Sequence, residues 1–429
     1  MKNYGLLKDY LLKNAARVFK EPTGDLHYPF IDPGSGYEGE LWDWDSYFTA
    51  KGICEMFSLY SENELRAAGL TRERAALYMK GSVLNFFAAQ EADGYVPIMA
   101  AGGGLFKGYF HAEHEKGTPL NQHKPFLCQA ALQAAKFCDD DTWIDTKKLA
   151  SYLAYYEKNQ FDPVSGLYFW QDDIMIGIDN NPTVFYRQPR SCADIYLNSL
   201  LVSEYESFAE ILRGKGEDDS RIIERMNALK RAIEREMWDE RDGIYYSQDI
   251  AFYQTERKIG DFSFHEGLAP SWNTLPLKVR FWGCFLPLYA GVCAPERAVR
   301  LCEHFSDKNV FAKFGIRTLA RNEKMYNLEK SSNPSNWLGA IWVIANYLVY
   351  EGLKRYRQNE LAEKLKQSTC ELLENSLHQY GDLYESYQPD TGTNYFQTYS
   401  RSNLQREDRA CGVATRRYVL RQKHVFYSR

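Results

Sequence analysis

The chain has 429 residues, 45% hydrophobic and 25% charged, with a formal net charge of −5. That composition is globular, the acidic balance offers no basic footprint for nucleic acid, and at a mean hydropathy of −0.50 no apolar run is long enough to span a bilayer. Nine cysteines, odd in number and without CxxC spacing, predict free thiols in a reducing cytoplasm, and eight histidines without an HExxH pattern give no reason to expect a metal.

The opening "MKNYGLLKDYLLKNAARVFK" lacks the apolar core and cleavage site of a signal peptide and predicts an amphipathic helix. A turn glycine, Gly24, precedes "LWDWDSYF" (Leu41 to Phe48), where two tryptophans alternate with two aspartates. A buried strand would not hold two carboxylates, and a solvated face would not hold two indoles. A surface gripping something apolar-faced and rich in hydroxyls would hold both. The same stretch also suits a helix start with Asp45 or Ser46 as N-cap.

Helical periodicity then runs through "RERAALYMKGSVLNFFAAQ" to a turn at Gly94. "HAEHEKG" (His111 to Gly117) reads as a polar loop, and "KPFLCQAALQAAKFC" as a helix before Gly166. "WQDDIMIGIDNNPTVFYRQPR" (Trp170 to Arg190) contains Gly177, Pro182 and Pro189 and is a loop. Its Asp179 also suits an Asx-turn. A helical "NSLLVSEYESFAEILRG" leads to Gly243. "FWGCFLPLYAGV", apolar nearly all round, predicts a helix buried on both sides before Gly315. "NWLGAIWVIANYLVYEGLKRY" is helical, and after Gly381 "GDLYESYQPDTG" sets Glu385 between Tyr384 and Tyr387. Residues 401–429 are Arg-rich and weakly patterned, an expected disordered tail beyond a single catalytic domain at 1–400.

The six glycines recur roughly every seventy residues, mostly ahead of residues that read as short strands. Each interval has room for two helices and a connection. Six such units predict an all-α (α/α)6 barrel with short β-hairpins at one loop face. Asp45, Asp179 and Glu385 fall in or just after long connections, so they would share one mouth. Tyrosine and tryptophan, 31 and 9 residues, exceed what a core needs and would line it. Two carboxylates, an aromatic lining and no metal or cofactor motif point to glycoside hydrolysis.

Motifs add to this reading. "PGSGYEGELWDWDSYFTAKG" resembles the first trehalase signature through Glu40, Trp44, Asp45, Ser46, Tyr47, Phe48 and Thr49. "NQHKPFLCQAALQAA" resembles the Gln-Pro-Pro stretch, with Gln122 and Pro125 in place and Lys124 departing. "GIDNNP", "NPSNWLGAIW" and "YESYQPDTG" resemble the acid, second-signature and base segments. Together, in this order, they resemble the trehalase and glycoside hydrolase family 63 clan of inverting (α/α)6 α-glycosidases. In size the chain is most similar to bacterial mannosylglycerate and glucosylglycerate hydrolases. Met175-Ile176 and Ser331-Ser332 depart from the usual Glu-Ser and Trp-Asp.

The resemblance implies Asp179 as general acid and Glu385 as general base, separated by the ~6.5–9.5 Å of an inverting pair. Tyr37, Trp42, Trp44, Trp337 and Tyr387 would line the sugar, and Asp45 and Gln122 would take its hydroxyls. Arg187 and Arg190, just past the acid, suit either a fork for an aglycone carboxylate or surface ion pairs. The expected partner is a small carbohydrate, glucose- or mannose-based, with no cofactor, nucleic acid or membrane. Two alternatives stay open. One is a sugar epimerase or isomerase using His123 or His265, since such chemistry needs a proton-transfer group. The other is a barrel that binds sugar without turnover.

Overall fold

The computed structural model describes residues 4–33, 37, 39–103, 107–251, 257–264, 271–329 and 335–394. Thirteen helices occur among them: α1 Gly5–Asn14, α2 Asp43–Leu59, α3 Glu62–Ala67, α4 Arg72–Ala88, α5 Tyr109–Glu115, α6 Leu127–Cys138, α7 Thr146–Asn159, α8 Ile195–Gly214, α9 Ser220–Ala232, α10 Leu286–Tyr289, α11 Pro295–Glu303, α12 Val343–Arg355 and α13 Asn359–Tyr380. Side-chain caps start several of them. Ser61 and Glu64 form a capping box on α3, Asp145 accepts the N–H groups of Lys147 and Lys148 on α7, and Asp194 accepts that of Tyr196 on α8.

Burial sorts the helices into two layers of an (α/α)6 barrel. α8 and α12 are buried on almost every side, as is the N-terminal half of α2, and α6 and α10 pack in the same ring. α4, α7, α9, α11 and α13 alternate with them, and α7, α9, α11 and α13 each bury mainly one stripe. Phe126, Leu200, Leu288 and Leu348, all wholly buried, mark the inner core. The segment after 394, where chain order would put a sixth inner helix, lies outside the described residues, and so does the expected tail.

Among the described residues each of the five outer-to-inner connections passes through one of the six glycines, Gly381 follows α13, and all six have positive φ, from 54° at Gly24 to 131° at Gly315. Three make the expected hairpin: Phe161–Asp162 with Leu167–Tyr168, Trp238–Asp239 with Ile244–Tyr245, and Phe311–Ala312 with Gly315–Ile316. Other short antiparallel pairs stitch one connection to another. Trp42 faces Met99, and Trp342 faces Ser386. The loop face is therefore a sutured rim rather than six separate loops.

Three local expectations change. "HAEHEKG" is helical, as α5, with its histidines turned onto Glu91 and Asp93. "FWGCFLPLYAGV" yields only a 3-10 turn and the four-residue α10. Pro287 opens that helix, where its missing N–H costs nothing, and Gly291 at φ 64° closes it. Asp45 and Ser46 are not the N-cap of α2. The helix begins at Asp43 after Trp42, and Asp45 lies in its first turn.

Candidate active site

The inner helices begin at the sutured rim, so the connections that precede them converge there. They enclose a cavity of about 340 Å³, and its lining joins Asp179 and Glu385 to Tyr37, Trp42, Trp44, Asp45 and Trp337. Seven of the eleven residues picked from the sequence thus meet in one place. Lys124, Asp173, Met175, Phe185 and Trp342 complete much of the wall. A larger cavity, about 830 Å³, lies toward the other ends of α2 and α6 beside Lys51, Arg72 and Lys136. It holds neither Asp179 nor Glu385, so size does not choose the site; chemistry does.

The Asp179 loop is tied down on three sides. Asn121 accepts the Gln171 N–H at 2.9 Å and donates to the Ile174 carbonyl at 2.9 Å. Asn180 accepts the Trp337 N–H at 2.8 Å and donates to Asn336 Oδ1 at 3.0 Å. Asn181 donates to Asp194 Oδ2 at 2.9 Å, and its own Oδ1 accepts from the Thr183 backbone. The side-chain turn in "DNNP" is therefore made by Asn181. Asp194 also accepts from Trp170 Nε1 and Ser247 Oγ, and burial raises its pKa. Gly177, at φ 89°, lets this loop pass close to Trp44. Glu385, half-buried, precedes the Ser386–Tyr387 pair that registers against Ile341–Trp342.

The tryptophans are not equivalent platforms. Trp337 is 1% exposed and stacks on Trp342 with centroids 3.9 Å apart, while Trp282 lies 5.9 Å off. Its indole N–H has no partner among the described residues. Stacked in this way, Trp337 has no free face for a sugar ring. Trp42 is half-buried, set edge-on to Tyr37, with its N–H on Glu40. Trp44 carries the Lys124 ammonium over its ring at 5.2 Å.

Four candidates are not among the cavity lining. Gln122 is wholly buried and donates to the Tyr152 carbonyl at 3.3 Å. Tyr387 is wholly buried; its hydroxyl accepts the Tyr384 N–H at 2.8 Å, which makes it a brace for the Glu385 segment. Arg187 pairs with Asp249, and Arg190 is exposed with its guanidinium over Phe169. His123 lies behind the wall, its Nδ1 donating to the Lys124 carbonyl, and burial lowers its pKa to about 4. His265 lies outside the described residues.

Sequence reasoning passed over Asp43 and read Lys124 only as a departure. The available signal was a lone lysine between His123 and Pro125 at the head of an apolar helix. Such a position buries whatever side chain it carries, and a buried charge needs a partner.

Comparison with known proteins follows the same lines. The family model for the mannosylglycerate hydrolase MGH1-like glycoside hydrolase domain matches residues 37–410. Mannosylglycerate hydrolase MGH1 of Selaginella moellendorffii is 32% identical over 108 residues, 25% of this chain and 20% of that protein. A probable mannosyl-oligosaccharide glucosidase of Schizosaccharomyces pombe is 25% identical over 259 residues, 55% of this chain and 29% of that protein. The matched stretches thus span less than a third of either relative. The crystal structure of the GH63 mannosylglycerate hydrolase from Thermus thermophilus in complex with glucose aligns with a TM-score of 0.68 at 18% identity. That alignment covers 99% of this chain and 100% of the other, and it is a likeness of fold.

Proposed function

Because the chain belongs to the family of mannosylglycerate hydrolase MGH1-like glycoside hydrolase domains, we propose that it is an exo-acting, inverting α-glycoside hydrolase. Its substrate is a small α-linked glucoside or mannoside, or a glycosyl-glycerate. The observation that carries this reading is the single cavity holding Asp179 and Glu385 among Tyr37, Trp42, Trp44 and Trp337.

In this mechanism Asp179 is protonated and gives its proton to the glycosidic oxygen as the bond to the anomeric carbon breaks. Glu385, ionised, takes a proton from the water that attacks that carbon from the opposite face. The aromatic lining receives the apolar faces of the ring, and Asp45 accepts from its hydroxyls. The Asn180 and Asn181 bonds hold the acid's loop, so that little reorganisation is needed at the moment of reaction. For the epimerase alternative, His123 is not among the cavity lining and His265 lies outside the described residues.

The test is proton NMR of the anomeric signals during the first minutes of reaction with mannosylglycerate, glucosylglycerate, trehalose, kojibiose, nigerose and maltose. The β-anomer appearing first from one α-linked substrate supports inversion and identifies the sugar. The α-anomer appearing first removes the acid–base assignment. Epimerised product without bond cleavage replaces hydrolysis with the alternative, and binding without turnover leaves a sugar-binding barrel.

A further inference from the structure

Lys124 is a cationic residue built into the wall of the cavity. Its side chain is 3% exposed, and its ammonium lies 2.6 Å from Asp43 Oδ1. Asp43 is itself held by short bonds. Oδ1 also accepts the Trp44 N–H at 2.7 Å, and Oδ2 accepts the Lys124 N–H at 2.7 Å. The ammonium is not saturated. Asp43 is its one anionic partner among the described residues, which leaves N–H donors over for a further acceptor. The lysine stem is held between Trp44 and Gly177, where even one added methyl carbon would come within 3.2 Å of its Cδ. The donor is therefore fixed in position beside Trp44.

A buried ion pair of this kind is a poor stabilising device, since apolar side chains of the same shape usually do as well or better. At a ligand cavity it supplies what apolar residues cannot, an immobile donor with unused capacity. Its charge is already balanced by Asp43, so it offers direction rather than net positive potential. That favours a neutral hydroxyl as its acceptor over a carboxylate, which would also have to approach Asp43.

We propose that Lys124 is a specificity-determining residue: its ammonium, held by Asp43, donates a hydrogen bond to one hydroxyl of the sugar ring seated beside Trp44. The residue thereby selects sugars whose configuration places a hydroxyl there. This rests on the glycoside hydrolase reading above and names the group by which that site reads its substrate.

The test uses the full chain and the double variant Asp43→Asn/Lys124→Met, which removes both charges and keeps the stem length. Substrates are the cleaved member of the six-sugar panel and its monodeoxy analogues. For the native enzyme, one deoxy position should lower kcat/KM by roughly 10- to 100-fold, the value of a bond to a charged donor. The double variant should show that loss on the parent sugar and no further loss on that analogue. The other analogues should lose alike in both enzymes.

Equal loss on every substrate would make the pair structural and overturn the proposal. So would a loss confined to glycosyl-glycerates, which would assign Lys124 to the aglycone. If the folded native chain cleaves nothing in the panel, the hydrolase reading falls and takes this with it. Should the double variant fail to fold, Lys124→Gln, tested on the same deoxy series, decides by the same criterion.

Discussion

Replacing Gly177 with alanine tests how tightly the Asp179 loop is seated. The added Cβ would sit 3.0 Å from Trp44 Cη2, 3.1 Å from Cζ2 and 3.2 Å from Lys124 Cδ, below the ~3.5–4.0 Å of an unstrained contact. At φ 89° the alanine also adopts a conformation costing about 1–2 kcal/mol. Overpacking adds about 1–3 kcal/mol, and the stiffer unfolded chain returns about 0.4–1 kcal/mol. The net loss is about 1–5 kcal/mol. Trp44 has little room to retreat, with Trp337 and Phe48 at 6.2 and 6.4 Å between centroids, and Lys124 is held by Asp43. The movement therefore falls on the loop, two residues before Asp179. A shift approaching 1 Å costs on the order of 100-fold in rate, so a few tenths of an ångström should cost about tenfold in kcat. Urea unfolding and kcat on the cleaved sugar are the assays. Unchanged stability and rate would refute the packing argument, and lost stability with unchanged kcat would show that the loop yields without moving the acid.

Asp179→Asn and Glu385→Gln should each lower kcat by at least about 100-fold while leaving the thermal unfolding profile in place; substantial turnover in both variants would remove the acid–base assignment. Asn180→Ala strands the Trp337 backbone N–H in a buried setting, while Asn336 Oδ1 keeps the Leu338 N–H, and should cost about 1–3 kcal/mol in urea unfolding. Glu204, wholly buried under the N-terminal N–H groups of α6, has its pKa raised from the ordinary 4.5 to about 7, mainly by desolvation. A raised carboxyl pKa means that the folded state binds the proton more tightly. Stability contributed by the protonated form is then present below pH 4.5 and lost as pH rises to about 7, on the order of 3 kcal/mol in all. Glu204→Gln should flatten that window in denaturation at pH 5 and pH 8. Arg187→Met and Arg190→Met should leave KM within about twofold for any cleaved substrate, because neither side chain lines the cavity; a KM raised tenfold by either would bring that arginine into the site.

The barrel was legible because its period is written in backbone chemistry. Positive φ at Gly24, Gly94, Gly166, Gly243, Gly315 and Gly381 is a local demand that glycine meets most easily, so the turn positions survive even where the helices between them diverge. Helix lengths were less legible. Around Leu286 the apolar pattern continues past the helix, which Pro287 and Gly291 confine to one turn. The α12 pattern starts too early because Asn336 to Trp342 is equally apolar, yet Gly339 at φ 130° sits in an irregular connection ahead of the Ile341–Trp342 strand.

What the chain by itself determined is which segments meet. Asp179, Trp337 and Glu385 lie in connections and Asp45 in the helical turn just after one, and a closed ring leaves those connections one rim to occupy. Tertiary structure alone decided where each side chain goes on arrival. Asp43 finds Lys124 across 81 residues, and Asn180 finds Trp337 across 157. Tyr387 turns inward as a brace and Arg187 outward to Asp249, although both follow a carboxylate of the cavity in the same connection. Periodicity records local backbone preference and average burial. It does not record the partner that a buried polar group will find, because that partner is set by packing between segments distant in the chain.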